Sequence, residues 1–173
     1  MPRIDLLRDN GAMGDDKLLH IYLNDHLAGH IVGRELAKRC RASNPDSALG
    51  EYLDAFLEQV QREGDVLQDV MDRVGARRDP VKLLAAWAAE RVGRLKGNGR
   101  LIGYSDLSRL EEVEGLCLGV EGKVALWRTL QRLAETDERL EGIDFGRLER
   151  RGRAQRAELE ELRMLAAATA LAL

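Results

Sequence analysis

Four long stretches of the chain carry apolar residues in alternating steps of four and three, and polar or ionisable side chains interrupt each stretch near its middle. Over 45–75, Leu49, Leu53, Phe56, Val60, Glu63, Leu67, Val70 and Val74 keep this rhythm, which gathers them on one face of a helix. Glu63 alone breaks the apolar character of that face. Over 15–42 the stripe Leu19, Leu23, His26, His30, Gly33 and Ala37 carries two imidazoles. Over 144–173, Gln155 interrupts Phe145, Leu148, Gly152, Leu159, Leu162 and Ala166. The stretch 105–135 offers a clean stripe of Leu110, Val113, Cys117, Val120, Val124 and Trp127. Beside it runs a second one, with Leu107, Glu111, Glu114, Leu118, Glu121 and Ala125. No segment alternates apolar and polar residues between hairpin turns, so the sequence reads as all-α.

Turn and cap residues set the boundaries. Asp15 and Asp16 stand where an N-cap would open a helix reaching about Ala42. Asn44-Pro45-Asp46 supplies a cap, a proline for the first turn and an acidic residue, and Gly75 suits the position after a helix end. Asp79-Pro80 repeats the device and opens a shorter helix over 80–96, which Gly97-Asn98-Gly99 stops. Ser105 or Ser108 caps the next long helix, and Gly142 with Asp144 introduces the last. The long helices come to roughly 27 to 31 residues, or about 40 to 46 Å. Residues 1–14 read as a flexible N-terminal segment and 15–173 as one helical domain with a connection over 75–104. Short links make the first two long helices antiparallel neighbours, and likewise the last two. The long connection lets the second and third run parallel in a one-crossover bundle, with a five-helix up-and-down bundle as the alternative.

With that crossover, His26, Glu63, Gln155 and Glu121 fall within about one turn of a common depth. The sequence thus predicts a buried polar layer of His26, His30, Glu63, Glu114, Glu121 and Gln155. Gly29 and Gly33 on the first helix and Gly115, Gly119 and Gly122 on the helix over 105–135 add to the pattern. Each interior glycine costs about 1 kcal/mol relative to alanine. Such glycines serve close helix approach, or else room for a ligand beside the layer.

Composition narrows the classes of function. A formal net charge of −3 with both signs interspersed gives no electrostatic reason to expect nucleic acid as a partner. The arginines Arg147, Arg150, Arg151, Arg153 and Arg156 alternate with Glu149, Glu158 and Glu160, as on a solvated face. Cys40 and Cys117 have no zinc spacing and read as buried free thiols. The N-terminal residues lack the apolar core of a secretory signal, and the apolar run over 165–173 is too short to span a bilayer. A cytoplasmic chain without a membrane partner is the expectation.

These long helices, the crossover and the mid-helix carboxylates resemble the ferritin-like superfamily. So do the phrases LNDHLAGHIVGRELAKR and NGRLIGYSDLSRLEEVEGLCLGVEGKVALWR, which look like a bacterial branch of it, and the likeness spans nearly the whole chain. The resemblance implies a four-helix bundle that dimerises and, in metal-binding members, handles iron and oxygen. Its di-iron pattern needs Glu-x-x-His on two helices. Here Lys17, Leu23 and Leu27 stand three residues before His20, His26 and His30, so the motif is absent.

Two functions compete on this reading. The first is a non-catalytic bundle with a hydrogen-bonded His/Glu network, acting through self-association as a homodimer. The second is a metal-binding protein or oxidoreductase holding iron, manganese or zinc. His26 and His30, one turn apart, can chelate a single ion with Glu63 or Glu121 opposite, and Asp25 is a weaker candidate. The turn Lys96-Gly97-Asn98-Gly99-Arg100, with Arg94, could form an anion nest, but it lacks the spacing of a phosphate-binding loop and reads as a helix stop. No Ser-His-Asp or Cys-His set stands out.

Overall fold

The computed structural model of the chain describes residues 12–79 and 104–172. Among them are four long helices, α1 (Ala12–Ser43), α2 (Ala48–Arg73), α3 (Asp106–Leu133) and α4 (Phe145–Leu171), and a 3-10 turn at Glu138–Leu140. No strand occurs among the described residues, in keeping with the all-α expectation. The short helix over 80–96, the loop over 96–100 and most of the segment 1–14 lie outside them, and α1 itself takes up residues 12–14. No described helix is long and apolar enough to cross a membrane.

Most helix ends follow the local chemistry. The Ser105 hydroxyl accepts from Ser108 N to cap α3, and the Asp144 carboxylate accepts from Arg147 N to cap α4, satisfying donors that have no intrahelical partner. Gly75 follows α2 with a φ of 72°, a left-handed conformation that glycine adopts without strain. The start of α2 departs from expectation. Ser47, not Asn44, is its cap, accepting from Gly50 N at 3.1 Å. Asn44 is buried and committed elsewhere. Its amide donates to Cys40 O at 2.7 Å and to the Tyr104 hydroxyl at 2.9 Å, while its Oδ1 accepts from Arg109 Nε at 2.7 Å. Tyr104 in turn donates to Glu112, which also pairs with Arg39. This polar cluster ties the end of α1 to the beginnings of α2 and α3.

Cross-helix contacts give the directions. His20 reaches Val74 O and Arg41 pairs with Asp54, so α1 and α2 are antiparallel. A Cβ added at Gly115 would lie 2.9 Å from Leu36 Cδ2, and Arg39 meets Glu112, which makes α1 and α3 antiparallel. Arg128 with Glu149 and Arg163 with Glu114 do the same for α3 and α4. Helices α2 and α3 therefore run in the same direction. α1 packs between α2 and α3, α4 packs along α3, and α2 meets α4 at few places. α2 and α3 stand across the diagonal of the bundle.

The core comes in two blocks. One gathers Leu23, Leu27, Leu67, Met71, Trp127, Leu130 and Phe145 toward the start of α1. The other gathers Ala37, Cys40, Leu53, Phe56, Val60, Leu116, Val120 and Leu159 toward its end. Along α2 and α4 the boundary between the blocks falls at Glu63 and Gln155, where the sequence places polar interruptions; along α3 it falls between Val124 and Leu126.

Candidate functional site

At that boundary lies a buried polar layer built from three helices. Lys123 Nζ on α3 donates to Glu63 Oε2 on α2 and to Gln155 Oε1 on α4, each at 2.5 Å. The Gln155 amide nitrogen donates to Gln59 Oε1 at 2.8 Å and to Glu63 Oε1 at 3.4 Å. The Tyr52 hydroxyl closes the set on the backbone oxygen of Gln155. The Glu63 side chain is 1% exposed and that of Lys123 14%. Removing both charges from water is expensive, and their mutual bonds with Gln155 offset it. Burial lowers the pKa of Lys123, and the Glu63 carboxylate beside it pulls the other way. Its ammonium also lies 5.5 Å from the Phe56 ring centroid, a cation–π distance.

The structure brings together Glu63 and Gln155, as expected, but draws the α3 member from another stripe. Glu114 and Glu121 are exposed, which corrects their place in the buried layer. The clean stripe of Leu110, Val113, Cys117, Val120, Val124 and Trp127 is the buried one. The second buried stripe lies on its other side, along Glu112, Leu116, Lys123, Leu126 and Leu130. Its steps are four, seven, three and four, the exposed Gly119 standing in the gap. A lysine and a glutamate within it hide the pattern, because a lone lysine on a helix usually faces water.

The histidines stay out of the layer, contrary to the expected His/Glu network. Both are half-buried, and neither imidazole makes a hydrogen bond within the described residues. His26 stands edge-on to the Tyr22 ring, centroids 4.5 Å apart. The His30 ring lies against Gly64, where a Cβ would collide with its Nε2. Gly64, unremarked in the sequence reading, is what lets that ring in. Burial, with help from Arg34 and Lys123, holds the His30 pKa down to about 4, and Asp65 opposes the shift. Burial also lowers the His26 pKa, against Asp25. The residues expected to hold a metal do not converge: Glu121 is exposed and the Glu63 carboxylate is engaged by Lys123. Among the described residues no three His, Cys, Asp or Glu side chains form a metal-holding group.

Beside the layer, between α1, α2 and α3, lies a cavity of about 200 Å³. His26, His30 and Arg34 line it from α1, Phe56, Val60 and Glu63 from α2, and Leu116, Lys123 and Trp127 from α3. Gly29, Gly33, Gly119 and Gly122 line it too, and at each of these four an added Cβ would meet nothing within 4 Å. Close helix approach therefore does not explain them. It does explain Gly115, opposite Leu36, and Gly152, opposite Val124. The buried side-chain nitrogens without a hydrogen-bond partner among the described residues are Trp127 Nε1 and Arg34 Nε, and both residues line this cavity. Arg34 Nε lies 3.5 Å from Glu35 Oε1, within ion-pair range only.

Elsewhere the chemistry is quiet. Cys40 and Cys117 are buried and free, as expected, and burial pushes the Cys40 thiol up to about 12. A thiol so held is not a nucleophile at neutral pH. No Ser, Thr or Cys is hydrogen-bonded to a histidine among the described residues. No protein-family model matches the chain, and no curated protein or solved structure matches it either.

Two predictions follow from the layer and its surroundings. Glu63→Leu or Lys123→Met alone strands a buried charge and should destabilise the fold by about 3–5 kcal/mol, whereas the double variant should recover most of that loss. Urea unfolding of the four proteins reads the coupling, and additive losses would refute the pairing. His30 has its folded-state pKa below the ordinary 6.5, at about 4, so the unfolded chain takes up the proton first as the pH falls. Its contribution is fully present above pH 6.5 and is lost down to about pH 4. That should remove roughly 2 kcal/mol after allowing for its partial exposure. The difference in stability between wild type and His30→Gln, followed across this window, should shrink by that amount.

Proposed function

We propose that this protein is a non-catalytic helical bundle that holds a small molecule in the cavity between α1, α2 and α3. The observation that carries this reading is the coincidence of four unfilled glycines with the cavity wall. Four interior glycines forgo roughly 4 kcal/mol of helix stability relative to alanine, and no packing contact accounts for that loss. We read it as room for the cavity between the helices, which reaches solvent at the exposed Gly29 and Gly119. In architecture we read a ferritin-like, one-crossover arrangement, supported by parallel α2 and α3 on the diagonal; the crossover itself lies outside the described residues. On this reading the depth at which ferritin-like proteins hold metals here carries an ion pair and an adjoining void.

The test is an apolar probe. Ethylbenzene should raise the melting temperature by several degrees, since a ligand at a hundred times its Kd adds about 2.7 kcal/mol and about 1 kcal/mol moves a domain of this size by roughly 2–4 °C. Gly33→Leu, whose side chain would enter the cavity, should melt no lower than wild type without ligand and lose the ethylbenzene response. No response in wild type, or an equal one in the variant, would refute the reading.

Self-association as a homodimer is a second reading, favoured by Leu118 and Leu165, which are 75% and 66% exposed on α3 and α4. Leucines so exposed mark candidate contact surfaces when they are contiguous. Sedimentation equilibrium should give a dimer mass that Leu118→Glu shifts toward monomer; a monomer mass throughout the micromolar range removes this reading.

A further inference from the structure

The polar part of the cavity wall also indicates which group a guest would carry, a step that rests on the cavity being a binding site. Most of the wall is apolar, with Phe56, Val60, Leu116 and Val120 among its residues, and the volume is about 200 Å³. An apolar protein cavity of about 150 Å³ takes benzene, so a single ring with a small substituent fits. The cavity reaches solvent at Gly29 and Gly119, so a guest can enter without unpacking the bundle.

Most polar groups of the wall are already engaged. Glu63 and Lys123 bond to each other, and the Arg34 guanidinium bonds to Gln61 and lies near Glu35. Trp127 Nε1 and Arg34 Nε have no partner, but both are buried atoms with essentially no surface to offer a guest. The imidazoles of His26 and His30 are different. Neither makes a hydrogen bond among the described residues, and their ring nitrogens are not among the buried unpartnered atoms, so a water-sized group reaches them. His20, the third histidine, is held by Val74 O at 3.0 Å.

His30 is the more buried of the pair. Its ring lines the cavity and sits over Gly64 of α2, where an added Cβ would collide with it. His26 rests edge-on against Tyr22 of its own helix. Burial, with Arg34 and Lys123 nearby, holds the His30 pKa down to about 4, so at neutral pH one of its ring nitrogens keeps a free lone pair. An apolar guest that fills the cavity keeps water from that lone pair and leaves it unpaired, at a cost. A guest with a hydroxyl group donates in the water's place. An ammonium head could donate too, but the Arg34 and Lys123 charges that oppose protonation of His30 also oppose a second cation beside it. A carboxylate only accepts.

The geometry points to a single-ring guest bearing one hydroxyl group, a phenol, held in this cavity with its O–H donating to the His30 imidazole. The apolar wall covers the ring, and the four open glycines leave room for it.

p-Cresol, anisole and ethylbenzene separate these elements. They are similar in size and carry a hydroxyl donor, an ether acceptor and no polar atom, respectively. A hydroxyl group moved from water into an apolar cavity without a partner is penalised, so p-cresol would bind more weakly than ethylbenzene if no acceptor met it. By calorimetry, p-cresol should instead bind at least as tightly as ethylbenzene, and about tenfold more tightly than anisole. His30→Phe keeps a ring over Gly64 and removes the acceptor; it should lower the ratio of p-cresol to ethylbenzene affinity about tenfold. In a nitrogen–proton correlation spectrum of the imidazoles, saturating p-cresol should move the unprotonated nitrogen of His30 upfield, and ethylbenzene should not. His20→Gln and His26→Phe assign that signal by elimination. Should His30→Phe fail to fold, the shift in wild type decides the matter. Ethylbenzene binding with p-cresol weaker, an unchanged ratio in His30→Phe, or no p-cresol-dependent shift at His30 would overturn the assignment and leave the cavity reading standing. Anisole binding as tightly as p-cresol would overturn the claim that the guest donates. Binding of none of the three, or binding that Gly33→Leu does not affect, would overturn both readings.

Discussion

The ion pair between Lys123 and Glu63 spans the diagonal of the bundle, and the rest of the interior is arranged around it. Adjacent helices can meet through apolar ridges, but α2 and α3 stand across the diagonal, and the long lysine is what links them. Gln155 brings in α4, so one cation fixes the relative depth of three helices. A slip of any of them by one turn, about 5.4 Å, would leave a charge without its partner. Buried pairs add little net stability, and register is the use best attested for them. That role fits a core split into two apolar blocks, each of which tolerates sliding better than a hydrogen-bonded set does.

α1 is the exception. It is fastened on either side of its two imidazoles, through Asn24 to the backbone oxygen of Arg77 and the amide of Asp79, and through Arg39 to Glu112. In its middle it contributes two imidazoles that bond to nothing in the described chain, and two glycines that touch nothing. Its link there is the contact of Arg34 with Gln61 on α2. The polar layer thus closes three sides of the interior and leaves the fourth open, which is where the cavity forms.

Much of this was legible in the sequence. Helix class, the caps at Ser105 and Asp144, the turn at Gly75 and the depth of Glu63 and Gln155 follow from periodicity and local chemistry. Two things did not follow. Asn44 looked like a cap because its local sequence suits one, while its actual partners, Tyr104 and Arg109, are distant in the chain. Lys123 was hidden because α3 has two buried stripes, not one, and the stripe carrying charges resembles a solvated face when read alone. A helix packed on both flanks shows a broad apolar arc, and a single stripe understates it. Only the three-dimensional arrangement shows that Glu63 needs a cation and that the acidic stripe is on the wrong side to supply one.

The glycines are the sharper case. From sequence, Gly29 and Gly115 are equivalent: each sits mid-helix with a second glycine four residues on. In the structure Gly115 meets Leu36, whereas Gly29 faces open space. Packing sets a maximum side-chain size at the first and no limit at the second. What the open glycines preserve is therefore not contact between helices but its absence, beside the two imidazoles of α1 that make no hydrogen bond among the described residues. A bundle shaped for stability alone would place alanine at these positions and give Trp127 an acceptor. Both are missing on the wall of the same cavity.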